Sequence, residues 1–333
     1  KPVINKIDHK QKKANEYKKI KTIFDNTKDH NHKYIAKITD INNLNESPLL
    51  NLDVQFPNYP NVILSSKEIN PYIKCFAVNT YKGLMKDINE DKVSIILSIN
   101  KPKKYEDYWP KCSFFALYDG KFGNDCCSFL RNELHNYIVK NEFFPKDPKN
   151  AILKGFQNAE KNFLEKIKNH PNNRSGSCAL IAIIIDDMLY IANCGDSQGI
   201  LSRNNGKEIK EINNIHNLTN LDEKQRILEN GGEIVNVKKG KSKIIPGKLA
   251  FTRGFGFQNL KNEELGGRSV VIIETPEIIE MKINDDEFDF LLLSSAGIFE
   301  KLTVDDAIKS IYEVINNQNS LRINSINELG GIM

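Results

Sequence analysis

The sequence has no apolar run near the roughly 18 residues that a membrane-crossing helix needs. Its longest runs, LIAIII and FLLLSSA, stop far short, so no transmembrane segment is expected. The amino-terminal stretch is Lys-rich and has no apolar core segment, so it does not read as a secretory signal. Cysteine is sparse: the six Cys show no CxxC spacing, and Cys126 and Cys127 are adjacent. That pattern excludes a disulfide framework, a zinc knuckle and a redox pair. Reduced, buried thiols in an intracellular protein, cytoplasmic or nuclear, are expected instead. Charge of one sign is also scarce, because 47 Lys and Arg against 43 Asp and Glu leave only +4. With no basic stripe interleaved by aromatics, nucleic acid is not an expected partner.

What is present suits a globular enzyme or binding domain. The 333 residues are 40% hydrophobic, and at that length about 75% of the chain's surface can be buried on folding. The first 70 residues differ from the rest. Lys1 to Lys37 carries a dense Lys population (KQKKANEYKKIKTIF) on a pattern compatible with one amphipathic helix. Asp8, Glu16, Asp25 and Asp29 are interspersed, which favours a solvated helix face over a patch for membrane or acidic partners. Asn/Pro-rich connections follow (INNLNESPLLNLDVQFPNYPN). The expected organisation is a basic, partly helical extension over 1–70 and one domain over 71–333. A small-molecule or nucleic-acid binder using the Lys-rich segment is a reading of a different class, and it would require an RNA affinity that falls steeply with salt.

From about Ile73 the pattern turns to strands and turns. Val93–Ile99 and Ser113–Tyr118 are short β-branched or aromatic runs. Asn124–Val139 reads as a helix with Cys127, Leu130, Leu134, Tyr137 and Ile138 on one stripe, and Asn150–Asn169 as a second with Ile152, Phe156, Phe163 and Ile167. A hairpin is expected from Cys178–Ile185, the Asp186-Asp187 turn and Met188–Asn193. A strand at Gly199–Arg203 and a helix at Asp222–Asn230 stopped by Gly231-Gly232 follow. Strands at Ile278–Ile283 and Phe288–Ser294 precede a helix at Val304–Asn316 capped by Thr303. Hairpins and helices in separate blocks imply antiparallel sheets covered by helices, not a βαβ parallel sheet.

Three acidic turns sit at strand ends: Asn89-Glu90-Asp91, Asp119-Gly120 and Gly195-Asp196-Ser197. Singly they are ordinary turn chemistry. Converging at one rim, such carboxylates suit Mg²⁺ or Mn²⁺. Two such ions about 3.5–4 Å apart can hold a hydroxide and clamp a phosphate ester.

Six blocks in order resemble the metal-dependent protein phosphatase family, type 2C, over about 260 residues. KDINEDKVSIIL is similar to its first acidic motif, and FFALYDGKFGNDCCSFL to its YDGHGG strand-to-helix motif. SGSCALIAIIIDDMLYIANCGDSQGIL resembles the SGSTA hairpin and GDSR turn. DEKQRILENGGEIV resembles the ExxRIxxxGG helix, and KLAFTRGFGFQNLK the LAVSRAFGD segment. PEIIEMKINDDEFDFLLLSSAGIFEKLTVDDAI matches the PE…DDEFLILASDGLWDVLS block. The resemblance implies an α+β fold, a four-layer α-β-β-α sandwich of two antiparallel sheets flanked by helices, with a dinuclear site at the rim.

By the same resemblance, Asp119 matches the carboxylate bridging both metals and the Gly120 carbonyl a ligand of the second. Glu90 matches the second metal's other carboxylate, with Asp91 beside it. Lys86 sits where the family has a phosphate-binding Arg, supplying a point charge without the bidentate fork. Asp196 matches a position for a third, weaker metal. The departures cut into that site. Ala296 replaces the Asp of SDG, a first-metal ligand; Lys121 and Phe122 replace the His-Gly of YDGHGG, whose His is the leaving-group acid; and Arg253-Gly-Phe-Gly-Phe lacks the Asp of RAFGD. The final GSxDN motif is not found before the chain stops at GGIM.

At most one well-bound Mg²⁺ or Mn²⁺ is therefore expected, and activity that is absent or very low. Two readings remain open. In the first, the chain is an inactive pseudophosphatase, a monomer whose surface recruits a phosphoprotein or regulatory protein. In the second, it is an active Mg/Mn-dependent Ser/Thr phosphatase with its Asp replaced at 296 and its last motif beyond GGIM. The second does not account for Lys121-Phe122.

Overall fold

The computed structural model describes residues 69–320 except 74–75, 77, 79, 81–85, 103–104, 238–239, 269 and 284–286. All of these belong to the second of two compact units, Ile35–Met333. The helix expected within Lys1–Lys37, the Asn/Pro-rich connection and the GGIM end lie outside the described residues.

The fold is organised around the hairpin of β5 (Ala179–Ile185) and β6 (Met188–Cys194), which turns at Asp186-Asp187. The run ALIAIII is apolar at every position because the strand is covered on both faces. Ala179, Ile181, Ile183 and Ile185 face one cluster, with Phe114, Leu130, Leu134, Phe156 and Phe163. Leu180 and Ala182 face another, with Leu189, Ile191 and Leu201. On its flanks the hairpin pairs with β2 (Cys112–Tyr118) and β12 (Glu277–Lys282), and β1 (Lys92–Ile96) pairs with β2. The result is a five-stranded antiparallel sheet in the order β1-β2-β5-β6-β12.

A second antiparallel sheet, in the order β13-β7-β8, is built from β7 (Gln198–Arg203), β8 (Glu208–Glu211) and β13 (Phe288–Ser294). Leu201, with Leu291 and Leu293, joins the cluster between the two sheets. On the outer face of the first sheet lie α1 (Asp125–Val139) and α2 (Pro148–Ile167). The buried residues of α1 include Cys127, Leu130, Leu134 and Ile138, the stripe read from its spacing. Gly155 lets the two helices meet, since a Cβ there would come within 2.5 Å of Ile138. The helix α6 (Val304–Ser320) covers the other sheet, with Ile308 and Ile311 against Ile200 and Leu292. These are the four layers, helix-sheet-sheet-helix, that the resemblance implied. No helix among the described residues is long and apolar enough to cross a membrane.

Helix ends follow the expected chemistry with small shifts. α2 begins at Pro148, two residues before the expected start, because Asp147 caps it by accepting from the Asn150 N–H at 3.2 Å. α3 (Leu221–Glu229) is capped by Asn220 and ended by Gly231 at φ +75°. At α6, Thr303 Oγ1 accepts from the Asp306 N–H at 3.1 Å. Ile69 and Asn70, read as the end of the extension, pack into the fold. Ile69 is buried with Ile73, Ile95 and Leu97, and Asn70 donates to the carbonyls of Lys111 and Asp186.

Register gathers one rim. Lys92 faces Tyr118, Leu117 faces Leu180, and Ala179 faces Cys194, so the start of β1 and the ends of β2 and β6 lie together. Ser294 faces Gln198 across β13 and β7, which brings the segment after β13 to the turn that holds Asp196.

Candidate phosphate and metal site at the sheet rim

Glu90 and Asp91 lie just ahead of β1, and Asp119 lies between β2 and β3 (Gly120–Lys121). Gly120 is required by close approach: a Cβ there would sit 2.3 Å from the Glu90 carbonyl oxygen. Both carboxylate oxygens of Glu90 are engaged from within the chain. Oε2 pairs with Lys86 Nζ at 2.8 Å, and Oε1 accepts from the Gly123 N–H at 2.7 Å.

The neighbouring carboxylates share a buried, like-charged environment. Burial, then the charges of Asp91 and Asp196, pushes the Asp119 carboxyl up to about 7, against the opposing pull of Lys86 and Lys121. Burial raises Asp91 as well, partly offset by a hydrogen bond with the Ser295 side chain. Asp196 is raised by burial too, and its Oδ1 accepts from Cys178 Sγ at 3.5 Å.

Ala296 opens α5 (Ala296–Phe299) at the same rim, with Ser295 preceding it. A methyl group offers no lone pair to a cation. Among the described residues no group of three or more His, Cys, Asp or Glu side chains is arranged to hold a metal ion. With Ala296 at that position, the described residues lack one of the carboxylates that the resemblance assigns to a two-ion centre. Glu90 would have to give up Lys86 to join a cation beside Asp119.

Sequence reading missed three arrangements that shape this rim. Lys121 Nζ stands 5.8 Å from the ring centre of Phe122, which is 49% exposed and holds a left-handed φ of 61°. The Phe122 ring meets that of Phe257, which is fully buried just ahead of α4 (Gln258–Lys261) and is also left-handed, φ 55°. Glu223 of α3 is nearly enclosed. It accepts from Arg253 at 2.6 and 2.9 Å, from Arg226 at 2.9 Å and from Thr252 Oγ1 at 2.5 Å. Behind the rim, Glu160 pairs with Lys261, and its other oxygen accepts from the Gly256 N–H at 2.8 Å. A Glu-x-x-Arg spacing on α3 was the one available sign of the second arrangement.

The comparisons with known proteins agree with one another. A family model described as protein phosphatase 2C matches residues 86–327. The chain is 30% identical over 211 residues to a probable protein phosphatase 2C 52 of Oryza sativa subsp. japonica, covering 63% of this chain and 40% of that one. It is likewise 30% identical over 210 residues to a probable protein phosphatase 2C 11 of Arabidopsis thaliana, covering 63% and 52%. The chain thus spans about half the length of the curated relatives it matches. Among solved structures, a serine-threonine phosphatase 2C from Toxoplasma gondii aligns with TM-score 0.55 at 15% identity, over 68% of this chain and 84% of that one. A C. elegans sex determining protein aligns with TM-score 0.59 at 18% identity, over 73% and 56%. At those identities the two structures speak for the fold alone.

Proposed function

The chain belongs to the protein phosphatase 2C family, and on that footing we propose that it is a catalytically inactive member that acts by binding another protein. The observation that carries this reading is Ala296 at the rim, where the family's motif has a metal-ligating Asp. Without that carboxylate, two cations have no shared cradle, and the clamp on an in-line phosphoryl transfer is lost.

Two further observations support it. Lys121 stands where the resemblance puts the leaving-group acid, and a lysine is a poorer proton donor to a departing alkoxide than the imidazolium it replaces. Lys86, at the phosphate-binding position, pairs with Glu90 at 2.8 Å and offers a point charge in place of a guanidinium fork. A single Mg²⁺ or Mn²⁺ would be held by Glu90, Asp119 and the Gly120 carbonyl, with Asp196 a weaker outlying ligand. When bound, such an ion would supply Lewis-acid charge; the described residues offer Ala296 where a second ion would need a carboxylate. The five described cysteines are all buried free thiols, which supports a reducing compartment, cytoplasm or nucleus. We take the protein to be a monomer.

The second reading, an active Ser/Thr phosphatase altered at position 296, is favoured by one observation: the charges of Asp91 and Asp196 both reach Asp119, as carboxylates around a cation would. Calorimetric titration with Mn²⁺ separates the two. At most one weak site is expected, and two tight sites would overturn the proposal.

A further inference from the structure

The rim carries a charged feature that starts at Lys121 and extends beyond the metal and phosphate positions. Glu300, just past α5, is surrounded by ammonium groups from three separate segments. Lys241, between β9 (Glu233–Val235) and β10 (Lys243–Ile245), bonds Glu300 Oε1 at 2.9 Å. Lys301 is the next residue, and Lys121 of β3 lies within electrostatic reach of the same carboxylate. All three lysines are exposed. The carboxylates behind them are less accessible: Asp196 accepts from Cys178, and Asp119 is half-buried beside Asp91. The outward charge is therefore three ammoniums against one carboxylate, and Phe122 stands beside Lys121 with half its surface open.

Two physical arguments give the patch a use. A left-handed φ is costly for a bulky side chain, and residues kept in that region concentrate where the chain binds something. An exposed aromatic beside cations has the composition of an interface anchor. We propose that Lys121, Lys241, Lys301 and Phe122 dock an acidic segment of a partner protein, its Asp and Glu side chains on the lysines and an apolar side chain on the Phe122 ring. The proposal rests on the protein-binding reading above and names the partner's chemistry. Three rotatable point charges on separate segments, none of them a guanidinium fork, match carboxylates spaced along a peptide better than one phosphate gripped from two sides.

The test uses the full chain in EDTA, with fluorescence anisotropy of a labelled peptide of Glu, Asp and Leu residues. Binding should weaken as salt rises. It should fall about tenfold or more when Lys121→Glu, Lys241→Glu and Lys301→Glu are combined, and several-fold in Phe122→Ala. Lys154→Glu, Lys161→Glu and Lys166→Glu combined, an equal charge change on the exposed face of α2, should leave binding as it was. Thermal melting checks that each variant folds, and single Lys→Met variants serve if the triple does not. Equal binding by the triple variant and the wild type would overturn the proposal, as would equal binding of a neutral peptide of the same length. A phosphopeptide of matched charge that binds tenfold more tightly would overturn the acidic assignment. Phosphopeptide turnover, measured separately with Mn²⁺, would defeat the inactive reading while leaving the anisotropy result to be judged by itself.

Discussion

The rings of Phe122 and Phe257 meet edge to face, with centroids 6.3 Å apart and planes at 88°. These are two of the positions where the sequence departs from the motifs it otherwise follows, 135 residues apart in the chain (257 − 122). The departures are therefore joined in space. Gly176 makes room for the pair, since a Cβ there would fall 2.3 Å from the Phe257 ring.

Replacing Phe257 by Ala empties a fully buried position, and a loss of about 3–5 kcal/mol is expected in urea unfolding. Phe122→Gly should be nearly neutral. It gives up an aromatic pair worth about 0.5–1.5 kcal/mol and relieves a left-handed backbone costing about 1–2 kcal/mol. A large loss in the second variant would mean that Phe122 supports the fold.

Glu223 ties α3 to the segment that leads to Phe257. Its side chain is 3% exposed and paired with both Arg226 and Arg253. Glu223→Gln should cost about 3–5 kcal/mol by leaving two guanidinium groups short of their counter-charge. Burial alone would raise this carboxyl, but bonds from Arg253, Arg226 and Thr252 outweigh it and hold it at about 2. Its contribution is complete above the unfolded value, about 4.3, and is lost as pH falls toward 2. Unfolding midpoints measured down to that range should fall less steeply in the variant.

Two buried imidazoles set a second, higher window. Burial lowers both His135 and His216 to about 4, with the Arg253 charge adding to the effect at His216. His216 Nδ1 accepts from the Gly195 N–H at 3.2 Å, which requires that nitrogen to be unprotonated. Between about 6.5 and 4 the unfolded chain takes up protons that the folded chain refuses, so stability should fall as pH drops. Each residue contributes a slope of about 1.4 kcal/mol per pH unit. His135→Leu and His216→Gln should each reduce the slope by one proton. An unchanged slope in both would contradict the assignment.

Ala296→Asp distinguishes the two readings of the site. We expect Mn²⁺ affinity to rise by about tenfold or more, because the rim regains a ligand. Turnover should stay at background, since Lys121 still stands at the acid position and Lys86 still holds Glu90. Restored turnover would favour an active enzyme inactivated at one residue. EDTA should leave the melting temperature of the unaltered chain unchanged.

The layers of this fold were legible because burial imposes a period. ALIAIII had to be covered on both faces, and Leu130, Leu134 and Ile138 had to share a helix stripe. The short sheet that shapes the rim was not legible. It pairs Gly120-Lys121 with Gly176-Ser177, and those in turn with β11 (Phe255–Gly256). Two-residue strands carry no periodicity, and their partners are remote in the chain. Motif order singled out Glu90, Asp119, Asp196 and Ala296, but nothing local announces that Glu90 takes the Gly123 N–H or that Lys241 reaches Glu300. Side-chain pairs between distant segments follow from the finished fold, not from spacing.

Turnover of a phosphorylated peptide by this chain, followed across a Mn²⁺ titration, separates an inactive protein from an active enzyme. An inactive chain gives a rate indistinguishable from buffer at every Mn²⁺ concentration. A robust, Mn²⁺-dependent rate from the unaltered chain would contradict the inactive reading.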